Sequence, residues 1–257
     1  MAFSTIALLA LAAFIAGFVD SIAGGGGLLS LPSLLLAGVD PVSALATNKL
    51  QGTFGTASAT YAFWRKGHLK ISDHIVAITS TFLAACLGVL AVNYAPTKLL
   101  SGALPVLLIA IAIYFALSPR LSDDAKPPRI PIQAFAFGIA PALGFYDGIF
   151  GPGTGSFFML ALVTLLGLGI MQATAKTKLL NFTSNIAALL VFAFSGKIIW
   201  GVGLVMGAAQ FAGAQLGSRF AMKHGATIIR PLLVLVCVAM ATKLLLDPTN
   251  PLRAFFP

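Results

Sequence analysis

The stretch Gly17-Phe-Val-Asp20-Ser-Ile-Ala-Gly24-Gly-Gly-Gly27 sets an aspartate and four consecutive glycines between two runs of apolar residues. A second copy follows later in the chain: Gly144-Phe-Tyr-Asp147-Gly-Ile-Phe-Gly151-Pro-Gly-Thr-Gly155 keeps the Gly-Phe-x-Asp-x-Ile spacing. The flanking runs have the composition of membrane segments. A duplicated, glycine-interrupted apolar segment is what secondary transporters use to build a binding site near the bilayer midplane. A packing motif of the G-x-x-x-G kind would leave ordinary residues between the glycines. Four in a row, and the Gly151-Pro-Gly-Thr-Gly155 run, instead predict unwound backbone beside a cavity.

Working outward, the composition agrees. Of the 257 residues 58% are hydrophobic and 9% charged, against about 25% charged in soluble domains. The fold class expected is all-α, a polytopic integral membrane protein of 8–10 membrane segments. The net charge of +9 sits in short connecting segments, where it reads as topological charge at the membrane surface. Nucleic acid is therefore not an expected partner; the lipid bilayer is. No Lys or Arg precedes Lys49, so there is no positive n-region of a cleaved leader, and the first segment is expected to stay. Cys86 and Cys237 lie in apolar runs and define neither a disulfide framework nor a metal site. No cofactor is implied.

Residues 3–19 and 22–38 are too long together for one span. Roughly 36 helical residues reach about 54 Å against a hydrocarbon core of about 30 Å. They form two crossings or a re-entrant hairpin. Asp40-Pro41 supplies an N-cap and a proline at the first helical position, opening a helix over about 41–64. Spans over 73–95 and 97–118 follow. The polar stretch 119–131 is the expected linker between a first membrane repeat, 1–118, and a second, 132–257. In the second half the order returns: 132–149, the second glycine motif, 155–170, a helix over about 171–195, and spans near 198–218 and 229–246.

The halves align beyond the glycines. Asp20 meets Asp147, Gly24 meets Gly151 and Gly26 meets Gly153. Allowing two extra residues in the loop, Ala46-Thr-Asn-Lys-Leu50 meets Ala175-Lys-Thr-Lys-Leu179, and Leu87-Gly88 meets Leu216-Gly217. An even number of crossings in each opening pair leaves an odd total per half, which predicts an inverted repeat. Charge does not decide the point, because the cations divide alike under odd and even schemes.

Lys49 lies eight residues beyond Pro41, about 12 Å along a helix of about 36 Å. An ionisable group at such depth is by default functional. Gly52, Thr53, Thr56 and Thr60 share its face, and Lys178, Asn181 and Asn185 repeat the spacing. One reading is structural: Lys49 and Lys178 neutralise Asp20 and Asp147, and the hydroxyls and amides join helices. The other is functional: an anion sits between the lysines, with backbone N–H groups of the glycine loops and half-helix N-termini turned towards it. No Gly-Lys-Ser/Thr follows the glycines, so they are not a nucleotide-binding P-loop. His68, His74 and His224 fall in loops or at span ends, Trp64 and Trp200 at span ends as interface anchors. Gln210, Gln215 and Arg219 could line a pathway but are not counted in the site.

The residues Asp20-Ser-Ile-Ala-Gly-Gly-Gly-Gly27, Thr47-Asn-Lys-Leu50 and Asp147-Gly-Ile-Phe-Gly-Pro-Gly-Thr-Gly155 resemble the TauE/SafE, or sulfite exporter, family of bacterial membrane transporters, in particular its YfcA-like branch. The resemblance covers nearly the whole chain. It implies a multi-pass carrier of the bacterial inner membrane, not an enzyme, for a sulfur oxyanion, sulfonate or small organic acid, coupled to protons. The substrate-binding residues expected are Lys49, Lys178, Asn48, Thr177, Asn181, Gly25, Gly26 and Gly153. Asp20 and Asp147 are expected to couple to protons or supply counter-charge. Lys176 has Thr47 opposite it, so the two halves are not expected to contact substrate symmetrically. Two alternatives stand beside the carrier: an intramembrane aspartyl protease using Asp20 and Asp147, and a passive anion channel.

Overall fold

A computed structural model describes residues 1–94, 106, 110 and 125–224. The spans expected over 97–118, apart from positions 106 and 110, and over 229–246, with Cys237, lie outside these residues. Among the described residues every regular element is helical. Helix α1 runs Phe3–Ala23, α2 Gly27–Leu36 and α3 Pro41–Arg65. A 3-10 turn, Ile71–His74, leads into α4, Ile75–Tyr94. In the second half, α5 starts at Ile132–Ala134, passes through a π-helical turn, Phe135–Ile139, and continues as Ala140–Ile149. Then come α6, Thr154–Thr164, α7, Ile170–Ser195, and α8, Trp200–His224.

Among the described residues four stretches are long and apolar enough to cross a membrane: Phe3–Ile22, Ile71–Val92, Ile132–Ile149 and Ile170–Ser195. Their outer faces are apolar as well. Leu8, Leu11 and Ile15 on α1, and Leu83, Leu87 and Leu90 on α4, are exposed at helical spacing, which is the stripe a lipid-facing helix presents. Helix α3 is of spanning length but carries polar residues throughout, and most of it is buried against other helices. It meets protein where α1 and α4 meet lipid. Trp64 and Trp200, at the end of α3 and the start of α8, are about half exposed, 51% and 50%, as interfacial anchors are.

The short helices fix the depth of the centre. Helix α2 has 10 residues and α6 has 11, about 15 Å each, half a hydrocarbon core. Helix α6 ends at Thr164, short of the 170 expected, because Gly167 takes a positive φ of +67° and the chain turns there. Each half-length helix leads into a long one, α3 or α7, whose lysine lies eight residues past its first. Glycine break and lysine therefore return to one level.

Asp40 caps α3 as expected, its carboxylate accepting from the Ser43 N–H at 3.0 Å. Burial acts to raise the Asp40 carboxyl, but the Ser43 hydrogen bonds and the charge of Lys197 outweigh it and hold it below its ordinary value. A lowered carboxyl stabilises the fold above its ordinary range and loses that contribution as pH falls through its folded value. Asp40→Ala is expected to cost about 1 kcal/mol, seen as a lower melting temperature at pH 7. The gap between the two proteins should narrow towards pH 3.

Two helix crossings are packed backbone to backbone. Helix α1 lies along α8: a Cβ added at Gly213 or Gly217 would run into the carbonyls of Phe14 or Phe18. Helix α4 lies along α5 in the same manner, with Gly88 against the Phe145 carbonyl and Gly148 against that of Ala85. Small residues that admit close approach are the usual means of joining helices where lipid removes the hydrophobic drive. The Leu216-Gly217 and Leu87-Gly88 pairs that align in the sequence thus sit at corresponding crossings.

Candidate functional site

Helix α1 does not stop at Asp20 but runs one turn further, closing at Gly24 with φ +81°. That left-handed turn is open to glycine and strained for other residues. It brings the backbone of the first glycine break onto that of the second, where the Ser156 N–H donates to the Gly24 carbonyl at 3.0 Å. The second break turns at Gly151, φ +90°, and at Gly153, φ +80°, the residue before α6. The two motifs, far apart in sequence, cross at one point.

Both acidic residues face the lysine of the other half. Lys49 Nζ lies 2.8 Å from Asp147 Oδ2, an ion pair without the alignment of a hydrogen bond. Lys178 Nζ lies 3.5 Å from Asp20 Oδ2 and donates to the Asp20 backbone carbonyl. The lysines are 1% and 0% exposed. Lone charges at such depth are prohibitive, and pairing is what makes them tolerable. Asp20 is further held by the Gly26 N–H at 3.1 Å. Lys178 also neutralises the negative end of α1, since it meets a carbonyl of its last turn.

Above the crossing lies a small cavity, about 20 Å³, room for about one water molecule. Its floor is Gly24, Gly27, Gly151 and Gly155, and its charged wall is Asp20, Lys49 and Asp147. Ser30, Asn48, Gly52, Thr56, Asn181, Asn185 and Gln210 complete it. The amides are arranged. Asn48 Oδ1 accepts from Ser30 Oγ at 2.6 Å and from Gln51 Nε2 at 2.8 Å. Asn181 Oδ1 accepts from Asn185 Nδ2 at 3.2 Å. With the oxygens occupied, what Asn48 and Asn181 have left for a ligand is their N–H donors, the groups an anion needs.

Of the residues expected from sequence, Lys49, Asn48, Asn181, Asp20 and Asp147 meet on this wall. Lys178 is one step removed, turned onto the end of α1. Thr177 is buried with its hydroxyl unpartnered but does not face the cavity. Gly25, Gly26 and Gly153 also stand back from it: the Gly26 amide is turned to Asp20, and Gly153 is taken up in the entry to α6. Their neighbours Gly24, Gly27, Gly151 and Gly155 form the floor instead. Which glycines of the two loops face this cavity could not be read from the sequence. Ser30 was missed, and Gln210, named as able to line a pathway but left out of the site, lines the cavity. Ser30 had a readable signal, a polar residue on a half-span apolar helix.

A larger cavity, about 170 Å³, lies elsewhere, between the start of α4, the π-helical turn and α6–α7. Its walls are mostly apolar, with Asp73, His74 and Lys176 among its lining residues, and it shares no residue with the central site. Lys176 thus belongs to a different region from Lys178, in keeping with its lack of a cationic counterpart. Among the described residues no cluster of His, Cys, Asp or Glu is placed to hold a metal.

Comparison with known proteins agrees with this architecture. The family model described as sulfite exporter TauE/SafE matches residues 9–244. The chain is 52% identical over 253 residues to the probable membrane transporter protein ORF9 of Sinorhizobium sp., covering 98% of this chain and 97% of that one. It is 48% identical over 235 residues to the probable membrane transporter protein YfcA of Escherichia coli K12, covering 91% and 87%. A probable membrane transporter protein of Haemophilus influenzae is 42% identical over 242 residues, covering 94% and 95%. No solved structure matches the chain.

Proposed function

Since this chain belongs to the sulfite exporter TauE/SafE family of membrane transporters, we propose that it is a secondary carrier of a small anion, a sulfur oxyanion, sulfonate or organic acid, moved with protons through the central cavity. That it is a multi-pass transporter and not an enzyme follows from the family and from its membrane-length helices. The anionic nature of the cargo rests on one observation. Two fully buried lysines are each held by an aspartate from the other half of the chain, at a cavity whose amides have donors to spare.

The pairs also supply a coupling scheme. An anion drawn to Lys49 competes with Asp147 for the same ammonium. The Asp147 carboxylate set free by that competition is the group that takes up the proton moved with the anion. Lys178 and Asp20 form the matching pair, with Lys178 itself set back from the cavity wall. The cavity is too small for an anion of several heavy atoms, so substrate enters as the pairs part and the helices separate. The matching backbone crossings of α1–α8 and α4–α5, each joining one half to the other, support reading the chain as two related repeats packed around the site.

The protease alternative is disfavoured on the same geometry, because an aspartyl dyad needs two carboxyls sharing a proton. Here each has its own lysine. The test is flux in proteoliposomes. Sulfite, thiosulfate, sulfonates or small carboxylates are expected to accumulate when a pH gradient is imposed, at carrier rates and with proton movement. Asp147→Asn is expected to keep anion binding and lose the pH-driven accumulation. Flux that ignores the gradient, in wild type, would make the protein a channel.

A further inference from the structure

The central cavity holds one polar group that the lysine–aspartate scheme leaves unused. Gln210, on α8, is buried, 3% exposed, lines the cavity, and its carboxamide oxygen has no hydrogen-bond donor among the described residues. A buried acceptor without a partner costs about 1–3 kcal/mol, so its retention beside a binding site calls for a reason. The contrast with the other amides is direct: the oxygens of Asn48 and Asn181 are already satisfied, and that of Gln210 is not.

The surroundings make room for this side chain. A Cβ at Gly55 on α3 would come 2.6 Å from Gln210 Cγ and 2.7 Å from its Nε2, and one at Gly17 on α1 would come 2.9 Å from Cγ. Gly55 therefore lies against the side chain of Gln210, and Gly17 against the Gln210 backbone carbonyl and the stem beside it. The alignment that sets Gly88 against Gly217 sets Thr81 against Gln210. There the same close approach occurs, Gly144 against the Thr81 backbone, but the Thr81 hydroxyl is spent on the Ala140 carbonyl at 3.4 Å and does not reach the cavity. The acceptor exists on one side only.

We propose that Gln210 is a specificity-determining residue of the central site, its carboxamide oxygen accepting a hydrogen bond from a substrate that carries an O–H or N–H donor beside its negative charge. The substrate class is then a small hydroxylated, aminated or monoprotonated anion, bound with its charged end on the lysine side and its donor on Gln210. This rests on the anion reading given above. An anion without a donor would leave the oxygen as it stands in the empty site, whereas a donor-bearing one satisfies it.

Matched pairs test the idea: glycolate against acetate, and isethionate against ethanesulfonate, with binding to the purified full-length protein followed by calorimetry at pH 7. The wild type is expected to bind the hydroxylated member of each pair about tenfold more tightly, the worth of one hydrogen bond. Gln210→Met is expected to erase that difference, and Thr81→Val to preserve it. Equal affinities in wild type, a preference for the plain anion, or a preference that survives Gln210→Met would each overturn the role of Gln210 and leave the anion site standing. Failure of all four anions to bind would instead remove the anion reading, and this inference with it. The wild-type comparison decides even if Gln210→Met fails to fold.

Discussion

Lys49→Ala, reconstituted after normal membrane insertion, is expected to lower anion flux by about 100-fold or more. The expectation follows from placement. Among the described residues Lys49 is the cation on the cavity wall, whereas Lys178 is turned aside onto the end of α1, so no other described ammonium on the wall replaces it. A drop in flux alone would not separate function from folding, because cutting one partner from a buried ion pair typically costs about 3–5 kcal/mol. The double variant Lys49→Ala/Asp147→Ala makes the separation. Removing both charges relieves most of the stability loss, since a buried pair is worth little net against apolar replacement. It should leave flux as low as in the single variant. If the double variant melts like wild type and transports like wild type, the pair is structural and the anion site lies elsewhere. A charge exchange, Lys49→Asp/Asp147→Lys, sharpens the point: it keeps the pair and moves the ammonium to the glycine-motif side of the cavity, so altered substrate preference with intact folding is expected.

Much of this arrangement was legible in the sequence, and the reasons differ from residue to residue. The Asp40-Pro41 cap fixed the start of α3 because capping chemistry is local. The stretch 132–149 stood out as a span because apolar length needs no tertiary knowledge, although the π-helical turn inside it has no sequence mark. Doubling of the motif pointed to the site, and the depth of Lys49 followed from helical rise. What could not be read was pairing. Composition allows Lys49 to meet either Asp20 or Asp147, and the exchange across halves appears only once the glycine breaks are seen to cross. Gln210 shows the same limit. A glutamine on an apolar helix can face lipid headgroups, a partner helix or a cavity, and the glycines that make space for it, Gly17 and Gly55, lie on two other helices. The inward-facing glycines went astray for a related reason, since which of four successive residues lines a wall depends on backbone angles.

The crossing of the breaks carries the second large expectation. Gly24→Ala should destabilise the protein by roughly 2–5 kcal/mol, combining about 1–2 for the left-handed backbone with about 1–3 for overpacking. The residue has φ +81°, and an added methyl would lie 2.6 Å from the Ser156 nitrogen and 2.7 Å from the Gly155 Cα, backbone atoms that cannot rotate away. Two further variants divide the effect. Gly38→Ala shares the φ of +81° but has nothing within 4 Å of the added carbon, so it should lose only the conformational part. Gly155→Ala has no left-handed angle, but its methyl would come 2.6 Å from both Cα and O of Gly24, so it should lose only the steric part. Melting temperatures of detergent-solubilised protein are therefore expected to fall in all three, and furthest in Gly24→Ala. A loss in Gly24→Ala no greater than in Gly38→Ala would show that the two breaks have room to spare where they cross, and the floor of the cavity would then be free to move without the helices that bear it.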